Sequence, residues 1–206
     1  LMLHPDDAAD RSLADGAIIE PLAVALHGVN MSGLKQGDKI LVLGAGPIGL
    51  AVAFWARRKG AADIVIQDLT DFQQARAGGM GASGFVVDPV DPIGSAERAL
   101  GGKADIVFEC VGVPGLIEQA VSQVKPRGTI LLLGLCTKPD TFNSFAMLSK
   151  EVRLITSAFF TRQEYEEALD ALVRRWHEWM KTAKDVGIQT SSVLRTAGWL
   201  GLSAQT

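Results

Sequence analysis

Residues 39–56, KILVLGAGPIGLAVAFWA, hold two apolar runs separated by a glycine-rich break, and that order restricts the fold more than any other stretch of the chain. Ile40 to Leu43 have the length and branching of a buried strand, and Leu50 to Ala56 the composition of a buried helix. Between them lies Gly44-Ala45-Gly46-Pro47-Ile48-Gly49. Strand, tight turn, helix is the arrangement that aims backbone N–H groups and the positive end of a helix at a pyrophosphate. Gly44 is expected to turn the chain out of the strand, and Gly46 to leave a Cβ out where a phosphate approaches the backbone. Gly49 is expected to let the helix lie close to the sheet. Pro47 suits the first helical turn, where the N–H it lacks has no helical partner. Residues 40–56 carry no charge, but they are short for a bilayer and are interrupted by Gly44, Gly46, Pro47 and Gly49. A membrane span is therefore excluded as a reading of this stretch.

The glycine spacing alone is weak evidence, and the chain contains its own control. With 22 glycines in 206 residues, a chance match is expected about 0.24 times, so context has to decide. Gly79-Met80-Gly81-Ala82-Ser83-Gly84 also matches, but it precedes the apolar Phe85-Val86-Val87 instead of following a strand. It opens no helix and reads as the turn between a helix and the next strand. Asp68 supplies the second half of the pattern at the first match. It follows Ile64-Val65-Ile66-Gln67, 24 positions after Gly44. A carboxylate about 20 residues on, at the end of the second strand, can accept both ribose hydroxyls of a dinucleotide. It also repels a 2′-phosphate, which favours NAD over NADP.

Apolar runs recur at 39–43, 63–67, 85–87, 104–109, 128–133 and 152–157, with helix-compatible stretches at 46–59, 71–78, 93–100 and 114–124. Alternating strands and helices predict an α/β fold: a doubly wound, six-stranded parallel sheet of the Rossmann type. The strands are apolar throughout, as strands covered on both faces should be. A helical lead-in is expected over 17–33, with Pro21 near its start and Gly33 as a stop. Thr161-Arg162-Gln163-Glu164 reads as a capping box. It opens a helix whose apolar face holds Tyr165, Ala168, Leu169, Leu172, Val173, Trp176 and Met180, with Arg174 and Arg175 on a solvated face. The expected organisation is a lead-in, 1–33, a dinucleotide-binding domain, 34–181, and an irregular tail, 182–206.

Composition narrows the partners. The net charge is −3 with pI about 5.6, and no basic stripe is present, so neither nucleic acid nor a membrane surface is expected as a partner. Cys110 and Cys136 suggest neither a disulfide framework nor a cysteine metal site, and a cytoplasmic setting is expected. The opening LMLHPDDAAD shows no basic segment followed by an apolar one. His4, His27 and His177 are scattered, and no cluster with metal-ligand spacing is visible.

The segment Ile19 to Val29 (IEPLAVALHGV), then Gly37-Asp38, then GAGPIGLA, resembles the medium-chain zinc-dependent alcohol dehydrogenases, and among them the polyol, threonine and butanediol branch. Phe108-Glu109-Cys110-Val111-Gly112, Pro114-Gly115 and Lys125-Pro126-Arg127-Gly128 carry the same resemblance. It implies NAD-dependent oxidation of a secondary alcohol or polyol. It implies that Gly44, Gly46, Pro47, Ile48 and Gly49 line the pyrophosphate and that Asp68 meets the adenosine ribose. Cys110, Val111 and Gly112 would border the cofactor, with Gly134 and Leu135 near the nicotinamide. Glu20, in its Glu-Pro-Leu context, would sit beside the catalytic zinc, against the local reading of a first-turn carboxylate favoured by the helix dipole. The resemblance places most zinc ligands in a separate N-terminal domain that this chain starts too late to contain. The chain is then expected to be catalytically incomplete, to assign no catalytic residue of its own, and to bind no zinc alone. Gln73 stands where related chains often carry an arginine near the adenine. A homodimer through strand 152–157 is also implied. Two further readings stay open: an NAD(H)-responsive interaction module without enzyme activity, and a relative of the zinc-free quinone reductases. A short-chain dehydrogenase is excluded, because the one tyrosine, Tyr165, is followed four residues later by Leu169 and not by lysine.

Overall fold

A computed structural model describes residues 13–185, with side chains over 19–174. Backbone contacts divide the chain into two compact units, Val24–Phe160 and a second formed by Leu1–Ala23 with Thr161–Thr206. The sequence reading drew its divisions at 33 and 181. In chain order the elements are α1 (Leu13–Ser32), β1 (Lys39–Leu43), α2 (Pro47–Arg58), β2 (Asp63–Gln67), α3 (Gln74–Gly79), β3 (Gly84–Val86) and α4 (Pro92–Leu100). They continue with β4 (Ala104–Glu109), α5 (Leu116–Gln123), β5 (Val124–Leu132), α6 (Ser144–Lys150), β6 (Arg153–Thr156) and α7 (Arg162–Asp185).

The six strands form one sheet in the order β3-β2-β1-β4-β5-β6, every neighbouring pair parallel. The order reverses between β1 and β4. This is the doubly wound arrangement expected from the alternation of elements. Ile40 to Val42, Ile64 to Ile66 and Ile106 to Phe108 are almost fully buried, which explains why these strands read as continuous apolar runs. Leu41, Leu43, Val65 and Val107 join Ala96 and Leu100 of α4 and Ala120 and Val121 of α5 in one core layer. On the opposite face Val42 approaches Gly49 of α2, and Leu131 and Leu133 approach Gly28 of α1. Each such aliphatic side chain contributes roughly 1.5–3 kcal/mol through its burial.

The second glycine match behaves as read: Gly79 ends α3, Gly84 begins β3, and Gly81 between them takes φ +100. In the other unit, Thr161 and Glu164 close the capping box. The Thr161 N–H donates to Glu164 Oε2 at 2.8 Å, and the Glu164 N–H donates to Thr161 Oγ1 at 3.2 Å. Ala168 and Ala171 of α7 are buried there, and Arg174 lies 3.7 Å from Asp170.

Four differences have physical causes. The lead-in helix begins at Leu13, so Pro21 lies inside α1 and Glu20 is well past its first turn. Strand β5 begins at Val124, not 128, because Lys125-Pro126-Arg127 bulges within the strand. The pairing jumps from Ala104–Val124 to Ile106–Thr129, and Arg127 takes φ +61. Helix α6 was not foreseen; at 7 residues it is too short to show a period, and it is capped by Asn143, whose Oδ1 accepts the N–H groups of Phe145 and Ala146. The expected irregular tail begins inside α7, which runs to Asp185. His4, the opening LMLHPDDAAD, residues 186–206, and the side chains of Arg175, Trp176, His177 and Met180 lie outside the described residues.

Candidate functional site: a cleft at the ends of β1, β4 and β5

The glycine turn is built as its residues demand. The Gly44 N–H donates to the Gln67 carbonyl at 2.8 Å, so the turn leaves β1 tied to β2. Gly44 takes φ +98, and a Cβ there would lie 2.6 Å from Val111 Cγ2. A Cβ on Gly49 would lie 1.9 Å from the Gly44 carbonyl oxygen, which no side chain tolerates. Gly46 differs from both: a Cβ there meets nothing within 4 Å. Protein packing does not require glycine at that position, and the space beside it is open. Gly46 is the N-cap of α2, makes no side-chain capping bond, and is followed by Pro47 at the first helical turn. The amides of Ile48 and Gly49 therefore belong to the unpaired first turn of the helix.

Asp68 faces this turn. Its Oδ2 accepts the Ala45 N–H at 2.6 Å, and its Oδ1 accepts the N–H groups of Leu69 at 2.6 Å and Thr70 at 3.3 Å. Oδ2, which takes a single N–H, keeps a second lone pair, so the group can still accept a hydroxyl from a ligand. The strand end that carries Asp68 is anchored by a glutamine cluster that the sequence reading missed. Gln67 Nε2 donates to the Pro92 carbonyl at 2.7 Å, and Gln67 Oε1 accepts from Gln119 at 3.1 Å and Gln123 at 3.0 Å. Gln67 and Gln123 are buried.

Across the switch point, β4 ends in a loop held by a buried carboxylate. Glu109 Oε1 accepts the N–H groups of Val111 and Gly112, each at 2.8 Å. The Glu109 carbonyl accepts those of Leu133 at 2.8 Å and Gly134 at 3.0 Å. Gly112 takes φ +79, and a Cβ on it would lie 2.5 Å from the Leu135 nitrogen; a Cβ on Gly134 would lie 2.2 Å from the Gly112 nitrogen. Two adjacent strand ends are thereby pressed together with only backbone between them. Val111 and Val113 are half exposed and Leu135 is 89% exposed, so the loops at this end of the sheet carry exposed apolar side chains. Burial, reinforced by the Glu109 carboxylate, pushes the Cys110 thiol far up, so Cys110 stays a neutral thiol and no nucleophile.

The structure thus brings Gly44, Gly46, Pro47, Ile48, Gly49, Asp68, Cys110, Val111, Gly112, Gly134 and Leu135 to one end of the sheet. Glu20 belongs to the other unit and is exposed on α1. Its position past the first turn removes the helix-dipole explanation for it. Half-buried His27 lies on the same helix, in the unit that carries the sheet. Among the described residues no three His, Cys, Asp or Glu side chains come together as a metal set. These residues alone do not fit a zinc ion, which needs three protein ligands. Gln73 is half-buried, and its Oε1 accepts from Arg76 at 2.8 Å; the Arg76 guanidinium in turn lies 5.4 Å from the Phe72 ring. Glu109 is the chief residue that sequence reading missed. It stood within a quoted motif, but its role depends on a loop folding back over it, and spacing does not show that.

Comparison with known proteins agrees with this geometry. The family model described as zinc-binding dehydrogenase matches residues 47–174. Sorbitol dehydrogenase 1 of Saccharomyces cerevisiae is 34% identical over 167 residues, covering 77% of this chain and 47% of that protein. The (R,R)-butanediol dehydrogenase of Bacillus subtilis is 38% identical over 143 residues, covering 68% of this chain and 41% of that protein. The crystal structure of L-idonate 5-dehydrogenase from Escherichia coli superposes with a TM-score of 0.69 at 29% identity, covering 79% of this chain and 46% of that one. The chain spans about half the length of the sorbitol dehydrogenase it matches. On the family match, the similarity to polyol and butanediol dehydrogenases and the doubly wound sheet, the chain belongs to the medium-chain, zinc-dependent alcohol dehydrogenase family and corresponds to its nucleotide-binding half.

Proposed function

We propose that this chain is the NAD(H)-binding half of a dehydrogenase that transfers hydride between a small secondary alcohol or polyol and nicotinamide. The observation that carries this reading is the Asp68–Ala45 hydrogen bond beside the open space at Gly46. It sets a sugar-binding carboxylate against a turn whose amides suit a pyrophosphate. When bound, the dinucleotide would supply the hydride acceptor, while any metal chemistry of the family enzyme would rest on ligands outside the residues described.

The chain's own residues position and enclose. The Ile48 and Gly49 amides hold the pyrophosphate over the N-terminus of α2, with Gly44, Gly46 and Pro47 shaping the turn. Asp68 accepts the adenosine ribose hydroxyls and disfavours a 2′-phosphate, so NAD is preferred to NADP. Cys110, Val111 and Gly112 border the cofactor, and Gly134 and Leu135 flank the nicotinamide. Their apolar side chains keep water from the reacting face, and Glu109 fixes both loops at the right separation. Glu20 is proposed as a neighbour of the zinc on family resemblance, the remaining ligands coming from outside the residues described.

Two further parts of the proposal concern the setting. Among the described residues strand β6 ends the sheet and holds one charge, Arg153, which is thin protection for an edge; pairing with a second copy through it would make a homodimer. A reducing, cytoplasmic setting suits the unpaired thiols of Cys110 and Cys136. The direct test of the cofactor reading is NADH titration followed by nicotinamide fluorescence. Saturable enhancement is expected, and its absence at millimolar NADH would remove the reading.

A further inference from the structure

The opposite end of the sheet carries a second concave site. Strands β4, β5 and β6 begin there, and the link between α1 and β1 passes beside them. A cavity of about 170 Å³ lies among these segments. It is well below the roughly 300–1,000 Å³ that receives a drug-sized molecule, so its natural occupant is no larger than a small ion or one ionic group.

Four cationic side chains line it, Lys35, Lys125, Arg127 and Arg153, against two carboxylates, Asp38 and Asp105. One carboxylate is ion-paired, and the other accepts a backbone N–H and keeps its charge at the rim. Asp105 Oδ1 accepts from Lys125 Nζ at 2.7 Å and its Oδ2 from the Lys39 N–H at 2.8 Å. Asp38 Oδ2 accepts the Lys35 N–H at 2.8 Å. Just outside the lining, Glu151 Oε2 lies 2.5 Å from Arg127 Nε, in a pair exposed on both sides. Lys35 and Arg153 have no carboxylate partner among the described residues. Arg153, which also lines the cavity, donates one N–H to Thr129 Oγ1 at 2.8 Å, so the guanidinium retains further N–H donors for a ligand.

The backbone is arranged to make this cluster. Pro126 and the bulge in β5 break the strand ladder, and Arg127 is held at φ +61, a left-handed conformation that a side-chain-bearing residue adopts only at a cost. The result sets Lys125 and Arg127 of β5 beside Arg153 of β6. A local surplus of positive charge then stands in a chain whose net charge is −3.

We propose that this cavity is a second anion site, which binds a phosphate ion or a single phosphate monoester through the Arg153 guanidinium and the Lys35 and Lys125 ammonium groups. A planar fork beside two point charges suits a tetrahedral dianion with several acceptor oxygens. The site lies at the N-terminal ends of the strands, the end that doubly wound sheets do not use for their dinucleotide. It is therefore independent of the cofactor proposal, and both ligands can be held at once.

The test is calorimetric titration of the full chain with inorganic phosphate and, separately, with glycerol 3-phosphate, at constant ionic strength, with and without NADH. Saturable binding of either anion that NADH leaves in place is expected. Arg153→Gln should weaken it by about tenfold or more, the scale of losing one charge-assisted hydrogen bond. Lys35→Gln, which removes a side chain with no hydrogen bond of its own among the described residues, should weaken it in the same direction without affecting folding. Three results would overturn the proposal: no binding of either anion at ten times the usual millimolar range, binding indifferent to both variants, or binding displaced by NADH while insensitive to Arg153→Gln. The last would place the anion at the glycine turn.

Discussion

Asp68 shows how one residue links local chemistry to selectivity. Its carboxylate holds the Ala45 amide, and the same group is proposed to meet the ribose. Asp68→Ala should weaken NADH binding by about ten- to a hundredfold, the scale of losing hydrogen bonds to a charged group, and weaken NADPH binding less. Parallel fluorescence titrations check this, and equal losses for both cofactors would contradict the ribose assignment. Glu109 works differently: its side chain fastens a loop and is not placed on a ligand. Glu109→Ala leaves two part-buried N–H groups without this partner and should lower stability by about 1–2 kcal/mol, read from urea unfolding. Asp68 was legible from its spacing after Gly44, because strand length and turn length together fix where the second strand ends. Glu109 was not, because the amides it holds follow it in a loop whose path depends on Gly112, Gly134 and Leu135 packing together.

Elements differ in how openly the chain announces them. Strands β1, β2 and β4 were visible over the bounds observed, because strands covered on both faces must be apolar at every position. Strand β5 was read too short: Lys125-Pro126-Arg127-Gly128 has the composition of a turn, and only pairing with β4 makes it a bulged strand. That bulge also places Lys125 against Asp105. Burial by itself would push the Asp105 carboxyl up, but hydrogen bonds from the Lys125 ammonium and the Lys39 amide hold it below its ordinary value. A carboxylate lowered in the folded state stabilises at pH values above its unfolded pKa of about 3.9 and loses that contribution as pH falls through the folded value. The Tm difference between the native chain and Asp105→Asn should therefore be full above about pH 5 and shrink below about pH 4. Thermal melts from pH 2 to 7 would show this, and a pH-independent difference would contradict it.

At the scale of the whole molecule, the outer edge of β6 faces no other strand among the described residues. Sedimentation equilibrium at micromolar concentration should give twice the 21.9 kDa chain mass; a monomer would remove the proposed edge pairing. What the amino-acid order determined by itself was the class of fold and one end of the sheet. The apolar runs, the turn at Gly44 to Gly49 and the carboxylate at Asp68 are local patterns, each imposed by a neighbouring stretch of backbone. Tertiary structure alone decided which strand ends meet. It set Val111 against Gly44, Gly112 against Leu135, and Gln67 against Gln119 and Gln123. It also gathered Lys35, Lys125 and Arg153 round one cavity. These contacts join residues far apart in the chain, and parallel pairing sets them only once every crossover helix has packed, so no stretch of sequence carries them.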